Sequence, residues 1–178
     1  MEKNEIEQKA LEIMKQVNYS DQGDEIDIIQ IANRLGFAVG NALLDEDYDG
    51  FIIIQEGKEE ILGIKTDKLI GVNSQRTLEW KRFIIAHEIA HYALHYADKS
   101  KQGMYAHREH NKGKNDEEND ADYFAANLLM PREKFTNKFM ELKSKNLALD
   151  EIIVLLAKKF IATPKMIERR IGELGLNE

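Results

Sequence analysis

Five residues constrain this chain more than any others: His87-Glu88-Ile89-Ala90-His91. Residues four apart on an α-helix share a face and stand about 6 Å apart along the axis. Two imidazoles at that spacing converge on one ion from successive turns. Glu88 is turned by about 100° from His87, so it flanks such an ion instead of binding it, and stands where it can take a proton from water. The pattern works only on a helix, and the flanks supply one. From Leu78 to about Tyr96, the residues Trp80, Phe83, Ile84, His87, Ala90, His91 and Leu94 recur on one face, and Thr77 can cap the start.

This is the H-E-x-x-H arrangement of zinc peptidases. The blander reading is a pair of histidines packed in an amphipathic core. Cysteine is absent, so any metal must be held by His, Asp or Glu. His95 prolongs the face, but it lies about 12 Å along the axis from His87. Metal–nitrogen bonds of about 2.0–2.1 Å cannot span that distance, so His95 is expected to be structural or to support a ligand. Leu94 and Ala97 occupy the positions where metzincins carry glycine and their last histidine, which excludes that class.

A third ligand must come from another segment. The run NDEENDADYFAANLLMP predicts a second helix from about Asp116 to Leu129, ended by Pro131. Asp116, Glu117, Glu118, Asp120 and Asp122 compete for the role. Glu118 and Asp122 lie four apart, and the small Ala121 and Ala125 allow a close helix–helix approach. Glu118 can then reach the ion while Asp122 accepts a hydrogen bond from the outer nitrogen of a ligand histidine. The alternative is a solvated acidic helix start favoured by the helix dipole.

The rest of the chain frames these two helices. Apolar spacing predicts helices over 5–17 and from Asp24 or Ile26 to Leu35, with Gly36 at a C-cap. Short apolar runs at Phe37–Leu43, Gly50–Ile54, Ile61–Ile64 and Leu69–Val72 predict three or four strands in a small sheet. Residues 98–115 read as a polar loop. The last 48 residues predict three short helices, 132–143, 148–160 and 163–174, with Thr163 capping the last and Pro164 at its first position. The fold class is therefore α+β, a minimal zincin-like core over residues 1–130 followed by a helical module over 131–178.

The N-terminus lacks the apolar stretch of a signal peptide. The longest apolar run, Ile152–Ala157, is far short of the roughly 20 residues that span a bilayer, so a cytoplasmic protein without a membrane partner is expected. Net charge is −7, divided as −10 over residues 1–130 and +3 over 131–178. An acidic core argues against broad nucleic-acid binding.

The run IGVNSQRTLEWKRFIIAHEIAHYALH, followed by ENDADYFAANLLMP, resembles the ImmA/IrrE family of metallopeptidases. The two blocks cover roughly residues 70–131. The resemblance implies a gluzincin-like zincin binding one Zn2+ per chain, with a glutamate of the second helix as third ligand. The Glu-x-x-Ala-Asp pattern falls on Glu118, Ala121 and Asp122. Members of the family cut or inactivate helix-turn-helix repressors, often encoded beside them on mobile elements, or act in stress responses. The implied partner is thus a DNA-binding repressor met as protein substrate.

The expected chemistry is hydrolysis of a peptide bond, with the metal held by His87, His91 and Glu118, and Glu88 as general base. A second oxyanion donor could come from Tyr92, Tyr105, His107, Arg108 or His110. The strand Leu69–Asn73, with Gly71, Val72 and Asn73, is a candidate for pairing with substrate backbone. The C-terminal pair of helices resembles a helix-turn-helix unit, in which Lys165, Arg169 and Arg170 could meet phosphates; a packing or protein-docking module is the favoured alternative. Two other functions stay open: a zinc-containing regulator that binds a transcriptional regulator without cutting it, and a direct DNA-binding protein. A site with these ligand types would also accept manganese, iron or cobalt.

Overall fold

The computed structural model describes residues 1–19, 23, 25–61, 63–96, 103–108 and 116–177. Helices α1 (Lys3–Gln16) and α2 (Ile28–Arg34) lead into strands β1 (Ala38–Ala42), β2 (Tyr48–Ile61) and β3 (Ile64–Asn73). Helix α3 (Leu78–His91) follows and runs on into a π-helical turn, Tyr92–Tyr96. Strand β4 (Gly103–Arg108) precedes α4 (Asp116–Leu129), α5 (Arg132–Lys143), α6 (Leu149–Phe160) and α7 (Pro164–Glu173).

The sheet is ordered β1-β3-β2-β4, with β1 parallel to β3 and both β3 and β4 antiparallel to β2. Helix α3 lies on β2 and β3, α4 packs along α3, and α1 covers α4. This sandwiching explains why α3 is buried without a break from Arg82 to His91. Its start is capped as anticipated, the Thr77 hydroxyl accepting from the Trp80 amide at 3.4 Å. One apolar cluster runs from Ile6 on α1 to Ile171 on α7 and so takes in residues on both sides of position 130. None of the described helices is long and apolar enough to cross a membrane.

Three expectations need correction. Ile61 and Ile64 do not open a strand of their own; they close the β2–β3 hairpin, and Gly63, at φ +77°, makes its turn. The segment expected as a polar loop contributes β4, whose ladder runs from Tyr48↔Arg108 to Ile54↔Gly103. Finally, Leu69–Asn73 is unsuited to capturing a substrate strand because it is interior. Gly71 is paired with Gly40 on one side and Phe51 on the other, and Val72 with Asn41 and Gly50. Asn73 instead secures the chain before β2, its amide donating to the Tyr48 carbonyl at 2.8 Å.

Candidate metal centre

Helix α3 presents His87 and His91 toward α4, where Glu118 sits in the first turn. The two Nε2 atoms are 3.0 Å apart. Glu118 Oε2 lies 3.2 Å from His87 Nε2, and Oε1 lies 3.4 Å from His91 Nε2. Ligand atoms around one tetrahedral ion with bonds of about 2.0–2.1 Å stand about 3.3 Å from one another. The three side chains therefore hold the separations that a single divalent ion requires. They form a group of three metal-competent residues among the described ones. The imidazole rings meet edge to face at 70°, with centroids 4.7 Å apart, so their nitrogens converge without stacking.

Asp122, one turn beyond Glu118 on α4, stands behind His87. Its Oδ1 lies 3.1 Å from His87 Nδ1. A proton on Nδ1 donated to this carboxylate leaves the Nε2 lone pair directed at the ion. His87, His91, Glu88 and Asp122 are all buried, whereas the Glu118 side chain is 26% exposed. The centre is thus reached from its Glu118 side.

The electrostatics favour a cation. Burial alone lowers the pKa of His87, but its hydrogen bonds to Asp122 and Glu118 outweigh burial and raise it to about 9. Bonds from His87 and His91 hold Glu118 well below the usual carboxylate range. Two carboxylates within hydrogen-bond reach of His87 thus make the site favour positive charge. The donor set, two neutral-capable imidazoles and a carboxylate, fits zinc.

Glu88 projects from the sheet-facing side of α3. A Cβ built on Gly50 would lie 3.5 Å from Glu88 Oε1, 2.5 Å from Ile84 Cγ2 and 2.8 Å from the Gly71 carbonyl oxygen. Gly50 is therefore what lets α3 settle on the sheet with a carboxylate between them. In the sequence, DEDYDG resembles a turn, and only the pairing of β2 beneath α3 reveals the role of Gly50. His107 lies opposite Gly50 in the β2–β4 register, and Tyr105 opposite Ile52. Tyr92 serves the scaffold: its ring packs edge to face on Phe37 at 5.1 Å and its hydroxyl accepts from Lys68 Nζ at 3.1 Å. His95 stacks at a tilt beside His91, centroids 5.5 Å apart, outside the ligand group. His110 lies outside the described residues.

The arginines of α7 turn to protein groups, as a packing module requires. Arg170 is fully buried, its guanidinium donating to the Asn127 amide oxygen at 2.7 Å and the Met130 carbonyl at 3.1 Å. It cannot meet a phosphate. Arg169 reaches Asp122 Oδ2 at 3.2 Å and Glu173 Oε1 at 2.9 Å. Nothing in the sequence marks Arg170 as buried or Arg169 as paired to α4.

No curated protein matches the chain. A peptidase-family model described as the IrrE N-terminal-like domain matches residues 41–172. That span includes strands β2 to β4, helices α3 and α4 and nearly all of α7, and it is well over half of the sequence. The chain belongs to this family, and it carries a metallopeptidase-like domain whose His87, His91 and Glu118 are compatible with a metal site.

Proposed function

We propose that this chain is a zinc-dependent endopeptidase that hydrolyses a peptide bond in a protein substrate, with His87, His91 and Glu118 holding the metal and Glu88 as general base. The observation that carries the reading is the convergence of both Nε2 atoms and the Glu118 carboxylate within 3.0–3.4 Å of one another, beside a fully buried glutamate. Bound zinc would supply Lewis acidity and bring water toward a neutral pKa.

The chain's own residues supply the rest. Glu88 takes the proton of the attacking water and delivers it to the departing amine. Asp122 fixes the His87 tautomer. An extended substrate segment is accommodated along the outer edge of β4, since among the described strands β1 and β4 border the sheet and β4 leads toward α4. A structural zinc site has no use for a buried, non-ligating glutamate next to its first histidine, which favours hydrolysis over a purely regulatory metal.

The substrate in this reading is a helix-turn-helix repressor, the class on which family members act. The test is to incubate zinc-loaded protein with the repressor encoded nearest to its gene, and separately with a proteome-derived peptide mixture, and to identify products by mass spectrometry. Fragments that vanish on chelation and with Glu88→Gln support the reading. Absence of such fragments in both mixtures ends the endopeptidase proposal; fragments from the peptides alone end only the repressor assignment.

A further inference from the structure

We propose that Arg169, on α7, is a positioning residue for the metal centre. Acting through Asp122, it holds the His87 imidazole at the angle from which Nε2 meets the ion. The C-terminal helices thereby tune the metal affinity of a site to which they give no ligand. The inference rests on the metal-binding part of the reading above, and not on hydrolysis.

The chain of contacts is continuous. His87 Nδ1 meets Asp122 Oδ1 at 3.1 Å, Asp122 Oδ2 meets a terminal nitrogen of Arg169 at 3.2 Å, and Arg169 Nε meets Glu173 Oε1 at 2.9 Å. The guanidinium is planar, and here it spans two carboxylates in different directions. One of them, Glu173, lies four residues on along α7, so the orientation of Arg169 is referred to its own helix. The other is 1% exposed. A carboxylate that far from water is costly unless its charge is compensated and its oxygens are bonded, and Arg169 provides part of that compensation from the far side.

Ordinary surface ion pairs contribute little, and the Arg169 side chain is 48% exposed. Its importance therefore lies in what Asp122 does and not in the strength of the pair. Without Arg169, the carboxylate is freer to rotate, and the imidazole that it orients rotates with it. Arg169 borders a cavity of about 720 Å³ between the starts of α3 and α7, lined also by Thr77, Trp80, Phe83 and Met166. Its removal therefore leaves no hole in the close-packed core, which makes a selective effect on metal binding measurable.

The experiment uses the full chain and four variants: Arg169→Met, Arg169→Lys, Asp122→Asn, and Asp122→Asn with Arg169→Met. Zinc affinity is read by competition with a chromophoric chelator, ligand geometry from the visible absorption of the cobalt-loaded protein, and fold integrity from thermal unfolding of metal-free protein. Arg169→Met should weaken zinc binding about tenfold, at the lower end of the range for outer-shell partners, and shift the cobalt bands, with unfolding of the metal-free protein nearly unchanged. Arg169→Lys should recover part of the loss, since it restores charge without the fork. Asn at 122 still accepts from His87 but presents an amide in place of the second acceptor. Arg169→Met should then cost nothing further in that background. Equal zinc affinity in Arg169→Met and wild type overturns the proposal. So does a full second loss in the Asp122→Asn background, or a fall in metal-free stability that accounts for the affinity change. Protein that binds zinc in the expected pattern but cuts nothing removes the hydrolytic reading and leaves this one standing; wild-type protein that binds no zinc removes both.

Discussion

Helices α3 and α7 both bury charge, in opposite ways. Between Arg82 and His91, every residue of α3 is buried, and several of its polar groups find partners on neighbouring elements. Arg82 pairs with Glu25 at 2.7 Å and donates to the Ile26 carbonyl at 2.8 Å, while His87 meets Asp122 and Glu118. On α7, only Ile167, Arg170 and Ile171 are buried, as on an ordinary surface amphipath. Yet its adjacent arginines turn to two separate anchors on α4, Asp122 for Arg169 and Asn127 for Arg170. The same residue type thus fastens the C-terminal helix at one position and touches the metal centre's support at the next. Burial of the helix as a whole predicts the fate of charge on α3 and fails to do so on α7.

The sharpest test of the α3 half asks whether its buried polar groups serve chemistry instead of stability. Glu88→Gln should keep zinc and fold, and should lower peptide cleavage by about 10²–10⁴-fold, the usual range for a lost general base. Metal content and single-turnover cleavage of an identified substrate check this together. Wild-type cleavage in that variant would make Glu88 a packing residue and erase the contrast with Arg170.

For α7 the expected loss is stability. Arg170→Met leaves the buried Asn127 amide oxygen and Met130 carbonyl short of a donor. Breaking a buried charged network of this kind costs about 3 kcal/mol or more, readable as a drop in the urea midpoint. Lys165→Met, on the exposed side of the same helix, should stay within about 0.5 kcal/mol of wild type. Comparable losses from both would mean that α7 does not use Arg170 as its anchor.

A smaller effect is expected where α3 meets the sheet. Gly50→Ala places a methyl group 2.5 Å from Ile84 Cγ2 and 2.8 Å from a backbone oxygen. Overpacking of this kind typically costs about 1–3 kcal/mol. Glu88 Oε1 lies 3.5 Å from that methyl position, so the shift of α3 that relieves the clash with Ile84 should carry Glu88 with it and lower cleavage per folded molecule. A variant that is destabilised but cuts at the wild-type rate would detach Glu88 placement from Gly50.

These regions also differ in how far a sequence exposes them. The ligand histidines are legible because their geometry is local: four residues on a helix fix two nitrogens relative to one another. Spacing to Ala121, Asp122 and Ala125 makes Glu118 one of several candidate carboxylates, and the resemblance to the family is what singles it out. Strand β4 is not, since residues 98–115 lack alternating apolar positions and an outer strand is held by ladder bonds to β2, which is about fifty residues away in the chain. Ile61 and Ile64 mislead because the hairpin turn between them rests on Gly63, and apolar content alone does not distinguish a strand from its end. The burial of Arg170 and the reach of the half-exposed Arg169 to Asp122 depend on how α7 packs against α4, a tertiary relation that leaves no periodic trace.

The last contrast concerns charge that can be surrendered. Arginine on α7 keeps its proton at any accessible pH, whereas on the proposed function His87 on α3 would give one up to a metal. In the metal-free protein, burial lowers the His87 pKa, but Asp122 and Glu118 bring it up to about 9. The ion requires the neutral imidazole, so at pH 7 zinc must displace a proton. Apparent affinity should therefore rise about tenfold per pH unit through the neutral range and level off as pH passes the raised pKa, one proton being released on the low side and less than one above it. Titration calorimetry in two buffers of different ionisation heat counts that proton directly. Asp122→Asn removes one of the carboxylates that raise the pKa, so the plateau should begin at lower pH. Arg169→Met removes a positive charge from beside Asp122, so the plateau should move the opposite way, toward higher pH. Zinc uptake at pH 7 without proton release would show that the carboxylates around His87 do not hold a cation in the empty site, and would remove the electrostatic half of the distinction between the two helices.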